Sequence, residues 1–145
     1  MASRFHTTRR VEFADTDAAG IIHFAAFFRY MEEAEHAFFR SLGLSILMRQ
    51  GEEVISWPRV SATCDFLGPV GFEDVLDIDL AVRRKGTSSM TYAFAFSKDG
   101  TVIARGQTTA VCCRVGPGHR LEKIAIPAAI AEKLEEEPSQ EGTRE

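Results

Sequence analysis

The segment that decides the fold is residues 11–44, VEFADTDAAGIIHFAAFFRYMEEAEHAFFRSLGL. Its second part predicts one long helix, from about Phe24 to Leu42, because apolar residues recur there at intervals of three and four. These residues are Phe24, Phe27, Phe28, Met31, Ala34, Phe38 and Leu42. Turn-forming residues at 15–20 separate the helix from what precedes it, and Gly43 is a typical helix stop.

Outside this segment, the alternation of apolar residues predicts strands. One lies before the helix, at residues 5–14, and four follow it, joined by hairpin-like turns. The four are at 54–66 with Pro58 inside, at 74–84, around 90–96, and at 102–115. A short amphipathic helix is predicted at 127–136. Since hairpins join the strands, we expect an α+β protein in which an antiparallel five-stranded sheet packs against the long helix.

Length and composition limit the functions that this chain can have. Its 145 residues are the size of one domain, which we expect at 1–136 with a polar tail at 137–145. The net charge of −4 disfavours nucleic acid as a partner, and no apolar run is long enough for a membrane helix. Three cysteines favour reduced thiols in a cytoplasmic protein.

The expected sheet indicates self-association. One helix covers one face of such a sheet incompletely, and long strands leave open edges, so we expect a homodimer.

An aromatic residue, an Asp-Thr-Asp-x-x-Gly motif, two branched apolar residues and an aromatic-rich helix follow one another in this chain. They are Phe13, Asp15-Thr16-Asp17, Gly20, Ile21-Ile22 and Phe24–Tyr30. This pattern resembles the acyl-CoA thioesterases of the hotdog fold, in the group that includes the 4-hydroxybenzoyl-CoA thioesterases. The resemblance implies a sheet wrapped around the long helix, hydrolysis of an acyl-CoA thioester to a carboxylic acid and CoA, and assembly as a homodimer or a dimer-of-dimers homotetramer.

Hydrolysis of a thioester needs a nucleophile or an activated water, and donors for the oxyanion that forms. Asp17 lies just before the helix, whose N-terminus offers unpaired N–H groups. The resemblance assigns Asp17 as base or nucleophile and the backbone N–H near Phe24 as the oxyanion donor. Gly20 allows a tight turn that admits the substrate, and His23 orients Asp17 or contacts the substrate. The alternatives are a helix N-cap or turn residue for Asp17 and an ordinary loop residue for His23.

The basic run Arg83-Arg84-Lys85 precedes a turn that contains Ser88. Arg and Lys suit the phosphates of CoA, and the resembled group carries basic residues near this turn. We therefore expect these four residues to bind CoA; a solubilising charged hairpin is the alternative. Phe27 is an expected wall of the acyl pocket. No metal is expected, and no cofactor except the CoA of the substrate. A non-catalytic acyl-CoA-binding hotdog protein is the alternative function, distinguished by a lack of turnover.

Overall fold

The computed structural model describes residues 2–138, and two antiparallel sheets account for the strands in that range. The strands are β1 (Arg4–Arg10), β2 (Met48–Gln50), β3 (Glu53–Ser56), β4 (Arg59–Phe66), β5 (Val75–Lys85), β6 (Ser89–Lys98), β7 (Thr101–Val111), β8 (Cys113–Val115) and β9 (Leu121–Lys123). The main sheet has five strands in the order β1-β5-β6-β7-β4, and the small sheet has the order β2-β3-β8-β9. The predicted five-stranded antiparallel sheet is therefore confirmed, whereas the small sheet was not expected.

The long helix α1 (Ala26–Ser41) lies on one face of the main sheet, as its apolar spacing predicts. Phe38 contacts Phe5 of β1 and Tyr92 of β6, with ring centroids 5.7 and 6.4 Å apart. Burial of each such side chain contributes roughly 1.5–3 kcal/mol. Gly43 ends the helix with a φ of 74°, and the N–H of Leu44 donates to the carbonyl of Phe39, which confirms the predicted stop.

Two hairpin strands supply the sheet face that receives α1. The alternating residues of β5 and β6 point to the core, as predicted from their period of two. They are Leu76, Ile78, Leu80 and Val82 on β5, and Met90, Tyr92, Phe94 and Phe96 on β6, all buried. Asp99 and Gly100 join β6 to β7 with φ values of 48° and 81°. Two positive φ angles fit a type I′ turn, which confirms the predicted hairpin.

Four predicted boundaries are wrong. The first strand ends at Arg10, and Phe13–Asp15 form a turn of 3₁₀ helix instead. The predicted strand 54–66 divides at Pro58 into β3 and β4, which belong to different sheets, since proline cannot donate to a ladder. The predicted strand 102–115 divides at Cys112, whose N–H donates to Ser88 outside the ladder.

The C-terminal helix α2 is the fourth difference, because it spans only Ala128–Ala131 and not 127–136. Beyond it, Glu137 lies against β5, where its N–H donates to the carbonyl of Val82. The rest of the predicted tail, 139–145, lies outside the described residues, and the predicted domain boundary at 136 stays a prediction. Within residues 2–138, none of the helices has the length and apolar character needed to cross a membrane.

Candidate active site

Asp17 lies in a tight loop of residues 16–22, between the N-terminal strand and α1, which we call the Asp17 loop. Its N–H donates to the carbonyl of Ile21 at 2.8 Å, and its carbonyl accepts from the N–H of Gly20 at 3.0 Å. Gly20 has a φ of 79°, which favours glycine, so the tight turn is present, while its role in admitting the substrate stays a prediction. A bridge between Thr16 and Ile22 closes the base of the loop. The loop backbone is thus held by its own hydrogen bonds.

The carboxylate of Asp17 is half-buried, with one oxygen bound and one free. Oδ1 accepts a hydrogen bond of 2.8 Å from the N–H of Ala19. Oδ2 has no partner among the described residues. The N-cap alternative for Asp17 is wrong, since Ala25 occupies that position, whereas the turn role is present through Ala19. That turn bond uses one oxygen and leaves the other available for chemistry.

The chain just before α1 contains an unpaired backbone donor. The N–H of His23 donates to the carbonyl of Asp15 at 2.7 Å, and that of Ala26 donates to the carbonyl of His23 at 2.9 Å. The N–H of Ala25 binds Nδ1 of His23 at 3.1 Å. Within residues 2–138, the N–H of Phe24 has no acceptor. An unpaired N–H at the start of a helix is the type of donor that stabilises an oxyanion.

His23 is exposed, and its contacts are with the residues just before α1. Its Nδ1 accepts from Ala25, and its ring stacks on Phe24 with centroids 4.6 Å apart and planes at 25°. Within the described residues it makes no hydrogen bond or ion pair with Asp17. Its predicted contact with substrate stays a prediction, while the role of fixing the turn before α1 has direct support.

Exposed aromatic side chains lie around the Asp17 loop. The sequence did not predict that they lie together. They are Phe13, Phe24, Phe66 and Phe72, which are 48–78% exposed; we call them the aromatic rim. Phe13 and Phe72 meet edge to face at 6.2 Å, as do Phe24 and Phe66. Phe72 reaches this position because Gly71 beside it forms a bridge with Ile21. No spacing in the sequence relates these segments.

Phe27, an expected wall of the acyl pocket, is 2% exposed and lies beneath the rim. It contacts Phe66 and Phe96, with ring centroids 5.5 and 5.1 Å apart. The structure therefore places Phe27 in the core, behind Phe66, and its contact with substrate stays a prediction.

The residues expected to bind CoA lie near the opposite end of β5 from the Asp17 loop. A bridge between Ile21 and Gly71 places the loop beside the residues that precede β5, and the eight steps of extended strand from Val75 to Arg83 span about 26 Å. A bulge between Val82 and Arg84 leaves Arg83 and Arg84 both exposed. The structure thus places the arginines and Asp17 apart within one chain.

Lys85 and Ser88 have structural roles that the sequence did not indicate. Nζ of Lys85 donates to the carbonyls of Ala131 and Leu134, at 2.7 and 2.9 Å. The carbonyl of Ser88 accepts from the N–H of Cys112 at 2.7 Å. Lys85 therefore caps the carbonyls at the end of α2, and its predicted contact with CoA stays a prediction. Ser88 is half-buried, and its contact with CoA stays a prediction.

Comparison with known proteins agrees with this geometry. Residues 11–134 match the family model of the thioesterase-like superfamily. A 1,4-dihydroxy-2-naphthoyl-CoA hydrolase from Thermosynechococcus vestitus is 30% identical, over 94% of this chain and 92% of that protein. A 4-hydroxybenzoyl-CoA thioesterase from a Pseudomonas species is 26% identical, over 91% of this chain and 98% of that protein. The solved structure of a gentisyl-coenzyme A thioesterase is similar with a TM-score of 0.75 and 30% identity, over 88% of this chain and 99% of that one.

The fold and these matches define a hotdog-fold protein. The chain belongs to the thioesterase-like superfamily. The predicted family, the predicted fold and the predicted enzyme class, a thioester hydrolase, are thereby confirmed.

Proposed function

We propose that this protein hydrolyses an acyl-CoA thioester, with Asp17 as the reacting carboxylate and the backbone N–H of Phe24 as the oxyanion donor. The observation that carries the proposal is the presence of two unsatisfied groups in one segment of eight residues, 17–24. One is Oδ2 of Asp17 and the other is the N–H of Phe24, neither of which has a partner within residues 2–138. A carboxylate and a preorganised donor are the two elements that thioester hydrolysis requires.

The reaction follows one of two courses from these groups. As a nucleophile, Oδ2 of Asp17 bonds to the thioester carbon, the oxyanion is held by the N–H of Phe24, and the C–S bond breaks to release CoA thiolate. Water then hydrolyses the mixed anhydride. As a general base, Asp17 takes a proton from water while that water bonds to the same carbon. A single turnover in ¹⁸O-labelled water separates the two, because only the nucleophilic course can place the label in Asp17.

We propose an aromatic acyl group as the substrate class. The relatives described above are named for 1,4-dihydroxy-2-naphthoyl, 4-hydroxybenzoyl and gentisyl thioesters of CoA. In this chain the aromatic rim offers four phenyl rings beside the Asp17 loop, arranged in two edge-to-face pairs. A planar aromatic acyl group gains from such contacts beyond simple burial. CoA enters only as part of the substrate, and the chemistry uses no metal.

We propose a homodimer formed along the free edge of β4, with a dimer-of-dimers homotetramer as its extension. The other edge strand, β1, carries Arg4, Arg9 and Arg10, and charged side chains oppose pairing at an edge. β4 instead carries the exposed Val60 and ends at Phe66 of the aromatic rim. A partner chain paired with β4 would lie beside the site.

The three free thiols agree with a cytoplasmic protein, and the net charge of −4 argues against nucleic acid as a partner.

The test is release of thiol from a panel of aromatic and alkyl CoA thioesters, with direct measurement of binding. Asp17→Asn is expected to lower kcat about a hundredfold or more, the scale of a lost acid–base group. Asp99→Asn is the matched control, because it makes the same change in an exposed turn where asparagine also accepts a positive φ. Full activity in Asp17→Asn would contradict the role of Asp17. Tight binding without thiol release would favour the non-catalytic acyl-CoA-binding protein.

A further inference from the structure

The first aspartate of the Asp-Thr-Asp motif is buried, although its neighbour Asp17 is accessible. Asp15 is 5% exposed. Its Oδ2 accepts a hydrogen bond of 2.6 Å from the hydroxyl of Tyr30, and its Oδ1 accepts one of 2.7 Å from Nη2 of Arg29. The N–H of Glu12 also donates to Oδ2, at 3.1 Å. The carboxylate therefore joins the chain before the Asp17 loop to the first turns of α1.

The backbone of Asp15 makes a second connection across the same loop. Its carbonyl accepts from the N–H of His23 at 2.7 Å. His23 directly precedes Phe24, whose N–H is the proposed oxyanion donor, and Asp15 precedes Asp17 by two residues. One residue thus connects the chain just before Asp17 to the residue that directly precedes Phe24.

Arg9 completes the surroundings of Asp15. Its guanidinium lies over the ring of Tyr30, 4.6 Å from the centroid, and its Nη1 is 3.5 Å from Oδ2 of Asp15. Nε of Arg9 also pairs with Glu33 on α1 at 2.9 Å. Burial raises the pKa of Asp15, but the hydrogen bonds from Tyr30, Glu12 and Arg29 outweigh it and hold the pKa below its ordinary value. Asp15 is therefore ionised at neutral pH, with both oxygens engaged.

We propose that Asp15 is a positioning residue, which fixes Asp17 relative to the N–H of Phe24 through its bonds to Tyr30, Arg29 and His23. This inference rests on the proposed function. Asp15 itself does not contact substrate, because both of its oxygens face other residues of the same chain. Misplacement of a reacting group by about 1 Å costs up to a hundredfold in rate, so loss of this connection lowers kcat.

The chain offers a matched control for the stability that a buried carboxylate contributes. Glu35 on α1 is 1% exposed and also forms an ion pair with an arginine, Arg59. It lies two to three helical turns beyond the start of α1 and makes no hydrogen bond or ion pair with the Asp17 loop among the described residues. Asp15→Asn and Glu35→Gln thus both neutralise a buried, arginine-paired carboxylate, but only the first does so beside the site.

The experiment measures kcat, KM and thermal midpoint for both variants on the best aromatic CoA thioester. Asp15→Asn is expected to lower kcat ten- to hundredfold and to change KM less than threefold, because binding of the acyl group and CoA is retained. Glu35→Gln is expected to leave kcat within twofold of the wild type, whatever its effect on the thermal midpoint. Tyr30→Phe removes a single donor to Asp15 and is expected to lower kcat about threefold, even if Asp15→Asn fails to fold.

Two results would overturn the inference. The first is a folded Asp15→Asn protein with wild-type kcat and a lowered midpoint, which would make Asp15 merely structural. The second is wild-type kcat in Tyr30→Phe together with equal losses of kcat in Asp15→Asn and Glu35→Gln. Failure of the proposed function gives a different result, since it leaves Asp17→Asn active whatever happens at Asp15.

Discussion

Met31 of α1 packs directly onto Gly106 of β7. A Cβ at position 106 would lie 2.9 Å from Cε of Met31 and 3.2 Å from the carbonyl oxygen of Thr63 on β4. A Cβ there would force the thioether end of Met31 to shift and would press on the Thr63 carbonyl, so glycine allows this approach of helix and sheet without rearrangement. The contact sets how closely the N-terminal half of α1 lies to β4 and β7, and therefore where the helix start meets the Asp17 loop.

Gly106→Ala is expected to destabilise the protein by about 1–3 kcal/mol, the usual cost of an added methylene in a packed core. The measurement is the free energy of unfolding in urea. Gly68→Ala is the control, because a Cβ there would meet only Cγ2 of Ile103 at an ordinary 3.8 Å; its effect should stay within about 0.5 kcal/mol. Equal stability of the two variants would contradict the close approach.

Glu35 is expected to make stability depend on pH. Burial raises its pKa above the usual 4.5, against the opposing effect of Arg59, and its Oε1 has no partner within residues 2–138. Because the folded state then holds this proton more tightly than the unfolded state, stability falls as pH rises from 4.5 through the folded pKa.

Glu35→Gln is expected to reduce the loss of stability with rising pH, since glutamine does not titrate and arginine stays charged. Asp15 contributes in the opposite sense: its lowered pKa gives stability that is lost as pH falls below 3.8. The loss of stability at low pH that Asp15 causes should therefore persist in Glu35→Gln. Urea unfolding at a series of pH values measures both slopes, and an unchanged slope above 4.5 would contradict the expectation for Glu35.

The fold was predictable from local patterns because its main elements carry strong periodicity. The helix, β5, β6 and the turn at Asp99 each follow from the spacing of apolar residues or from one dipeptide. The candidate catalytic segment was predicted from the resemblance of its Asp-Thr-Asp-x-x-Gly motif, not from spacing. What sequence reasoning missed depends on contacts between distant segments. Phe72 joins the aromatic rim through a bridge from Gly71 to Ile21, and Lys85 binds carbonyls more than forty residues away.

The free edge of β4 has backbone groups that a partner strand can use. The N–H of Leu67 donates to Ile103 at the end of β7. Because antiparallel ladders alternate, Thr63 and Asp65 direct their N–H groups to β7, whereas Ala62 directs its N–H away from the sheet. A proline at 62 therefore removes a donor from the free edge and leaves the ladder with β7 intact.

Ala62→Pro is expected to convert the proposed dimer to a folded monomer, measured by sedimentation velocity together with circular dichroism. Thr8→Pro is the control. The N–H of Val82 donates to Ser3, so by the same alternation Thr8 on β1 directs its N–H away from β5. That variant should remain dimeric. A dimeric Ala62→Pro protein, or a monomeric Thr8→Pro protein, would move the interface away from β4.

Arg83 and Arg84 are expected to contribute to the binding of CoA and not to the chemical step. Both are exposed, and neither has an ion-pair partner within residues 2–138. The double variant Arg83→Ala/Arg84→Ala should raise KM for an acyl-CoA about tenfold, with kcat nearly unchanged, through loss of charge-assisted contacts to phosphate. Kinetics with the same acyl group on pantetheine, which lacks the nucleotide, provide the control. A similar rise in KM for that thioester would show that the arginines do not act on the phosphates.

The oxyanion donor proposed at position 24 is a backbone group, so two substitutions of Phe24 should have different effects. Phe24→Ala keeps the N–H and removes a ring that is 60% exposed, and kcat should stay within about tenfold of the wild type. Phe24→Pro removes the N–H, which has no acceptor within the described residues, so no backbone hydrogen bond of the fold is lost with it.

Loss of one oxyanion donor costs about a hundred- to a thousandfold in kcat, so Phe24→Pro should be far slower than Phe24→Ala. Steady-state kinetics on both variants measure this difference, and circular dichroism checks that α1 is retained. Equal activity of two folded variants would remove the N–H of Phe24 from the mechanism. Equal and severe losses would instead assign the effect to the phenyl ring, which stacks on His23 and meets Phe66 edge to face.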